Sequence, residues 1–76
     1  MSLEEKFDAI FNAGKFFIIQ NTVKRINGDR EDRISWKEVQ QPGEQIINSC
    51  KWEGFNTISE CLDDILEKYS IKEVNI

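Results

Sequence analysis

The chain of 76 residues contains no histidine, only two cysteines and a single proline. Histidine most often performs general acid–base catalysis near neutral pH, so its absence argues against an enzyme. Two cysteines fall short of the four ligands of a structural zinc site and of the disulfide framework of a small secreted protein. A single Cys50–Cys61 disulfide is the alternative, but two reduced, packed thiols are predicted, as in a cytoplasmic protein.

Long apolar segments are also missing. The longest apolar run, FFII at residues 16–19, is far shorter than the ~20 residues that cross a bilayer. The first residues, MSLEEKF, lack the basic start and the apolar run of a signal peptide. The sequence therefore predicts a soluble protein with no membrane contact, folded as a single domain over residues 1–76.

Positive charge is scarce. Ten basic residues face fourteen acidic ones, for a net charge of −4, which argues against general binding to phosphate backbones. The acidic excess lies at the two ends, residues 1–14 and 57–76, whereas residues 15–56 hold seven bases and six acids. This distribution favours a protein partner with basic character, and makes nucleic acid the less favoured partner.

The first predicted element is a helix that begins at Ser2. Ser2 and Glu5 have the spacing of a capping box, and Gly14 supplies the residue that ends the helix. Four apolar residues are predicted to share its inner face: Leu3, Phe7, Ile10 and Phe11.

Two strands follow. KFFIIQNTVKRI (15–26) is rich in β-branched and aromatic residues, and RISWKEV (33–39) is predicted to return beside it. The loop NGDRED (27–32) between them opens with Asn27-Gly28, a strong turn signal. Imperfect alternation in the first strand predicts burial on both sides near its start, or a bulge near Asn21.

The second half begins with a break at Pro42 and an ambiguous segment, residues 44–55. A strand with Ile46, Cys50 and Trp52 on one face is favoured over a helix. A helix capped by Thr57 is then marked by one apolar stripe: Ile58, Cys61, Leu62, Ile65, Leu66 and Tyr69. With residues 71–76 as a further short strand, the order α-β-β-(β)-α-(β) predicts a small α+β domain whose antiparallel sheet carries helices on one face.

The second helix also carries an acidic row, formed by Glu60, Asp63, Asp64 and Glu67. A solvated helix face is the simpler interpretation. However, the like charges at i, i+4 lack local compensation, which a basic partner would supply. The leading hypothesis is a protein-binding module, an inhibitor or an adaptor, that uses this row against a basic partner.

Two alternatives stay open. A nucleic-acid-binding domain would use a basic sheet face formed by Lys24, Arg25, Arg33 and Lys37, with bases stacked on Phe16 or Phe17. A homo-oligomeric structural protein would instead pair through a sheet edge. Neither catalytic residues nor a cofactor nor a metal site is predicted, because the acids of NGDRED lack a calcium-loop pattern and alternate with arginines.

In its small size, acidity and lack of catalytic residues, the chain resembles small proteins of phages and mobile elements that bind and inhibit a host protein, some anti-CRISPR proteins among them. The resemblance is one of composition. No motif accompanies it, so it implies an inhibitory function of this type but assigns no residue a role.

Overall fold

The computed structural model describes residues 1–41, 43 and 45–71. Its elements are, in chain order, α1 (Leu3–Asn12), β1 (Phe16–Ile26), β2 (Asp29–Val39), β3 (Ile46–Ser49) and α2 (Ile58–Lys68). The strands form one antiparallel sheet in the order β1-β2-β3, and the helices pack on one side of it. The predicted α+β class is confirmed. The predicted strand at 71–76 lies, apart from Ile71, outside the described residues.

Both helices begin as their capping residues predict. Ser2 Oγ accepts a hydrogen bond from the Glu5 N–H at 3.2 Å, and the Ser2 N–H donates to Glu5 Oε1 at 2.9 Å. Thr57 Oγ1 likewise accepts from the Glu60 N–H at 3.2 Å. The chain turns out of α1 at Gly14, whose φ of 74° is open to glycine without steric strain.

The hairpin is longer and more regular than the sequence suggested. β1 pairs with β2 without interruption from Phe16 opposite Val39 to Ile26 opposite Asp29. The bulge expected near Asn21 is therefore wrong, and residues 29–32 belong to β2 rather than to a loop. The reason is the tight turn: Asn27 and Gly28 both have positive φ, 51° and 86°, and such a turn lets pairing start at once.

Residues 46–49 form a strand, so the favoured interpretation of this segment is confirmed there, while Pro42 and Glu44 lie outside the described residues. The chain then leaves the sheet in a turn in which the Gly54 N–H donates to the Lys51 carbonyl at 3.1 Å. It rejoins β2 where Phe55 and Ile34 exchange two backbone hydrogen bonds of 2.8 Å. The prediction that Trp52 shares a strand face with Ile46 and Cys50 is wrong, because this turn carries it away from the strand.

The core is centred on Trp36 of β2, which is fully buried together with Cys61, Leu62 and Ile65 of α2. The rings of Phe17 and Tyr69 meet Trp36 edge-on, with centroids 5.9 and 5.8 Å away. The predicted stripe of α2 faces this cluster, as expected. Both cysteines are free thiols, in agreement with the sequence-based prediction.

Side chains of the sheet alternate between two faces. The helix-covered face carries Phe17, Ile19, Ile34 and Trp36, which pack in or against the core. The open face, on the other side, carries the intervening residues, among them Phe16 and Ile18, which are 47% and 43% exposed. The expected burial of both sides near the start of β1 is therefore wrong, because no helix lies over the open face among the described residues.

Candidate functional site

The acidic row lies along the outer side of α2, but two of its four carboxylates are bonded within the fold. Asp63 Oδ1 lies 2.7 Å from Lys6 Nζ of α1. The same ammonium donates to Ser59 Oγ at 2.7 Å, and the Lys6 side chain is only 11% exposed. Asp63 thus neutralises a nearly buried cation at the contact between the helices.

Asp64 differs from the sequence-based expectation of a carboxylate in water. It is half-buried, and its Oδ2 accepts a hydrogen bond of 2.8 Å from Nε1 of Trp36. The physical reason is that a buried indole N–H requires an acceptor. α2 places Asp64 beside the ring, so this residue also has a structural task.

Glu60 and Glu67 are the two members of the row that lack such bonds. Both are exposed, and their carboxylates have no hydrogen-bond or ion-pair partner in the described part of the chain. The whole row lines a shallow depression of about 300 Å³ with Lys51 and Phe55. The Lys51 ammonium lies 5.0 Å from the centre of the Phe55 ring. Carboxylates beside an aromatic ring suit a cationic side chain of a partner.

α1 turns a different face inward from the one that its apolar residues predicted. Its buried residues are Lys6, Ala9 and Ile10. Three of the four residues assigned to the inner face are exposed instead, and they form what is called here the α1 stripe: Leu3 (43% exposed), Phe7 (40%) and Phe11 (82%). The prediction holds for Ile10 alone, because the small Ala9 and the bond from Lys6 to α2 decide which side packs.

Negative charge borders the α1 stripe. Glu4 precedes Phe7 by three residues and Asp8 precedes Phe11 by three, so each carboxylate neighbours a ring on the helix surface. Glu4 and Asp8 are both exposed. The helix layer therefore combines exposed aromatic side chains with carboxylates.

By the strand register, three of the four basic residues of the nucleic-acid alternative lie on the open face, namely Lys24, Arg33 and Lys37. Arg25 lies on the same side of the sheet as the helices, directly opposite Arg30 in the hairpin register. Arg33 donates to Asn56 Oδ1 and lies 3.8 Å from Glu31 Oε2, with only 14% of its side chain exposed. Arg25 is therefore on the other side of the sheet, whereas Arg33 is on the open face but largely buried and already bonded.

Lys24 and Lys37 line opposite parts of one depression of about 210 Å³ on the open face, since Lys37 is six residues along β2 from Glu31, the partner of Lys24. Its lining includes Gln20, Lys24, Ser35, Lys37, Ser49 and Trp52. Lys24 Nζ lies 4.6 Å from the centre of the Trp52 ring, which is 61% exposed. The sequence predicted Trp52 on a strand face with Ile46 and Cys50. The turn at residues 51–54 determines the position of Trp52, and Gly54 was the feature of the sequence that could have predicted this turn.

The described residues show little sign of reactive chemistry. Burial, with smaller contributions from the charges of the neighbouring Cys50 and Asp64, raises the pKa of the Cys61 thiol to about 12. A protonated, fully buried thiol is a poor nucleophile. Within residues 1–41, 43 and 45–71, no three side chains of metal-ligating type converge. No helix in that part of the chain has the length and apolar character needed to cross a membrane.

Comparison with protein-family models, curated proteins and solved structures finds no match for this chain. Its function is therefore inferred from its own geometry.

Proposed function

We propose that the protein is a protein-binding module whose binding surface is its helix layer. The α1 stripe supplies the apolar contact, and Glu60 and Glu67 of α2 supply negative charge. The partner that fits is a protein with apolar side chains flanked by lysine or arginine. An inhibitor or an adaptor would act through such a surface by occupying its partner.

The inverted burial of α1 is the observation that carries this proposal. The helix buries a lysine and leaves Phe11 82% exposed, the reverse of the usual partition between core and solvent. Full burial of a phenylalanine side chain contributes about 1.5–3 kcal/mol. A partner that covers Phe7 and Phe11 would recover much of that free energy, and contiguous exposed apolar surface often marks such a contact.

The carboxylates favour a basic partner over a second copy of this chain. If two copies of α1 packed through the α1 stripe, Glu4 and Asp8 of each would approach the same residues of the other, and like charges repel. Lysine or arginine at the rim of a different protein would pair with them. Rim charges of this kind mainly change the association rate and its salt dependence.

The test begins with capture of binding proteins at low salt, followed by purification of each captured protein and measurement of its Kd. Phe7→Gln/Phe11→Gln is the apolar variant and Glu60→Lys/Glu67→Lys is the charge variant. Val23→Gln, at a residue 57% exposed on the far part of the hairpin, is the matched control. Asp63 and Asp64 are left unchanged, since their replacement would disturb the bonds to Lys6 and Trp36.

The apolar variant is expected to weaken binding at least about tenfold, equivalent to 1.4 kcal/mol. The charge variant is expected to weaken binding most at low salt, and the control to bind like the wild type. Binding that is equal for all four proteins would remove the helix layer from consideration. Sedimentation would also detect self-association. If the wild type self-associates and the apolar variant does not, the partner is a second copy of this chain rather than a basic protein.

A further inference from the structure

The depression on the open face has a chemistry opposite to that of the helix layer. None of its lining residues is an aspartate or a glutamate, although acids outnumber bases fourteen to ten in the chain. Two lysines line it, Lys24 and Lys37, and a third, Lys51, borders both this depression and the acidic one. Positive charge is thus concentrated where the acidic residues are missing.

These lysines lack intramolecular counter-charges. Across the described ranges, neither Lys24 nor Lys37 has a carboxylate within 4.0 Å, even though Glu31 lies opposite Lys24 in the strand register. The Lys24 ammonium instead lies over the ring of Trp52. An anion bound in the depression would neutralise this charge, and lysine is a common partner of phosphate.

Trp52 adds an aromatic surface to the same place. It is 61% exposed, whereas the other tryptophan, Trp36, is fully buried. Exposed aromatic rings beside a basic groove are the usual means of holding unpaired bases, because every base has a face that can stack. Gln20, Ser35 and Ser49 line the floor with groups that can donate to phosphate or base oxygens.

We propose that this depression binds one nucleotide unit, with the base stacked on Trp52 and the phosphate contacting Lys24, while Lys37 adds positive charge to the lining. The volume of about 210 Å³ is too small to enclose a whole ligand but accommodates part of one that stays half in solvent. A free nucleotide and a nucleotide within a single strand share this chemistry. The site is independent of the helix layer, since none of the α1 stripe and none of the acidic row lines it.

The net charge of −4 does not prevent such binding. The exposed carboxylates Glu60 and Glu67 lie on the helix side of the sheet and Lys24 and Lys37 on its open face, so the sheet lies between these charges. Exposed charges separated by more than the Debye length, about 8 Å at physiological ionic strength, are largely screened from each other. The lysines therefore act as a local positive site at that ionic strength.

The test follows the two indole N–H signals by NMR while ligand is added to the full chain. The Trp52 signal reports on the depression. Trp36 also borders it, but its side chain is fully buried and its indole N–H is bonded to Asp64, so the Trp36 indole signal is the internal control. The probes are adenosine, adenosine monophosphate, inorganic phosphate and a short single-stranded oligodeoxyadenylate. The variants are Lys24→Glu, Trp52→Ala and Trp52→Phe. Arg30→Glu, on the other side of the sheet, makes the same change in net charge as Lys24→Glu and is the matched control.

Adenosine monophosphate or the oligonucleotide is expected to shift the Trp52 signal and the backbone amides of Gln20 and Ser35, but not the Trp36 indole. Trp52→Ala and Lys24→Glu are each expected to weaken binding about tenfold or more. Trp52→Phe should retain most of the affinity, and Arg30→Glu nearly all. Binding should weaken with added salt, because it releases counterions.

The arms of the experiment separate the two sources of the nucleotide. Similar affinity for the monophosphate and the oligonucleotide would identify a free nucleotide, and much tighter binding of the oligonucleotide would identify a single strand. Inorganic phosphate that binds as well as the nucleotides would overturn the proposal, because the base would then contribute nothing. Absence of a Trp52 shift with every probe, or equal losses for Arg30→Glu and Lys24→Glu, would overturn it as well.

Discussion

Contacts within the fold divide the acidic row of α2 into two bonded and two unbonded carboxylates. Asp63 and Asp64 satisfy polar groups that the fold buries, the ammonium of Lys6 and the indole N–H of Trp36. Glu60 and Glu67 have no such partner in the described residues and are available for binding. A variant that alters all four at once would confuse loss of stability with loss of binding.

The ion pair between the helices gives the first prediction. Asp63→Asn should lower the free energy of unfolding by about 1.5–3 kcal/mol, because it leaves a nearly buried ammonium without its counter-charge. Lys6→Met should lower it by less than about 1 kcal/mol, since it leaves behind an Asp63 carboxylate that is 58% exposed and a Ser59 hydroxyl that is only partly buried. Urea unfolding of both variants measures the difference. Equal losses of stability in the two variants would show that Asp63 is not needed to stabilise the buried Lys6 ammonium.

Stability is expected to fall as the pH rises above 9. Folded Cys61 keeps its proton up to a pKa of about 12, whereas the unfolded thiol titrates near its ordinary pKa of 9.0. Burial and the hydrogen bond to Glu38 raise the pKa of Tyr69 from 10.0 to about 12, with an effect of the same sign. Above these ordinary values the unfolded state binds fewer protons, so the free energy of unfolding declines up to about pH 12.

Urea unfolding at neutral pH and at several values above 9 measures this decline. In Cys61→Ala the decline should be shallower and should begin nearer pH 10, where Tyr69 takes over. Cys50→Ala keeps the buried Cys61 thiol and should retain most of the wild-type decline, because burial is the largest cause of the raised pKa of Cys61. Parallel curves for Cys61→Ala and the wild type would contradict the assignment.

At the scale of elements, short turns decide where the binding surfaces lie. The turn at Asn27-Gly28 starts the hairpin ladder immediately and makes both long strands regular. The turn from Lys51 to Gly54 carries Trp52 away from β3. The chain then pairs with β2 again, where Phe55 bonds to Ile34. The depression on the open face exists because of this second turn.

Gly54 is expected to be the glycine least tolerant of a side chain. A Cβ there would lie 2.9 Å from the Ile34 carbonyl oxygen, and its φ of 67° is unfavourable for other residues. Gly14 has a similar φ of 74° but nothing within 4 Å. Gly14→Ala should therefore destabilise by about 1–2 kcal/mol, the cost of the left-handed conformation alone. Gly54→Ala should destabilise by at least about 1 kcal/mol more.

Thermal and urea unfolding of the two alanine variants measure this difference. In Gly54→Ala the amides of Ile34 and Phe55 should also exchange faster with solvent, because the bridge between them is displaced. If Gly54→Ala were no less stable than Gly14→Ala, the close approach of the turn to β2 would be absent in solution.

At the scale of the whole molecule, the small core leaves much apolar surface outside. A protein of this length has a free energy of unfolding of about 4–11 kcal/mol. Its fully buried large side chains are few and lie around Trp36, while Phe11, Ile47 and Trp52 are all more than half exposed. The molecule therefore has two chemically distinct sides, an acidic and aromatic helix layer and an open sheet face with a basic depression.

The orientation of α1 on the molecule can be tested through two adjacent residues. Ile10 is 6% exposed and Phe11 is 82% exposed. Ile10→Ala should lower the free energy of unfolding by about 2–5 kcal/mol, because it removes core contacts. Phe11→Gln should change it by no more than about 0.5 kcal/mol, as expected for an exposed position. The reverse order in urea unfolding would place the α1 stripe in the core.

The sequence was informative where the signal is local. Ser2 with Glu5, Asn27 with Gly28 and the stripe of α2 each predicted an observed feature, because capping, turn chemistry and helical periodicity act over a few residues. It was uninformative about which face of α1 is buried. The exposed pair Phe7 and Phe11 has the same i, i+4 spacing as the buried pair Lys6 and Ile10. Which face packs depends on the partner helix, and that partner lies some fifty residues further along the chain.

The two candidate surfaces differ in the same way. The acidic row was visible in the sequence because its residues share one helix, although the separate roles of Asp63 and Asp64 were not. The grouping of Lys24, Lys37 and Trp52 around one depression could not be predicted from the sequence, since these residues come from two strands and a turn that are brought together only when the sheet forms.

The amino-acid sequence by itself determined the α+β class, most element types, the capped helices and the excess of negative charge, all of which follow from local propensity and composition. Only the tertiary structure decided which apolar residues are buried in the core and which are exposed to solvent. The reason is that a chain this short encloses little volume. Once Trp36, Leu62 and Ile65 fill it, Phe7, Phe11 and Trp52 have no interior left to enter, and the surface they form follows from packing rather than from pattern.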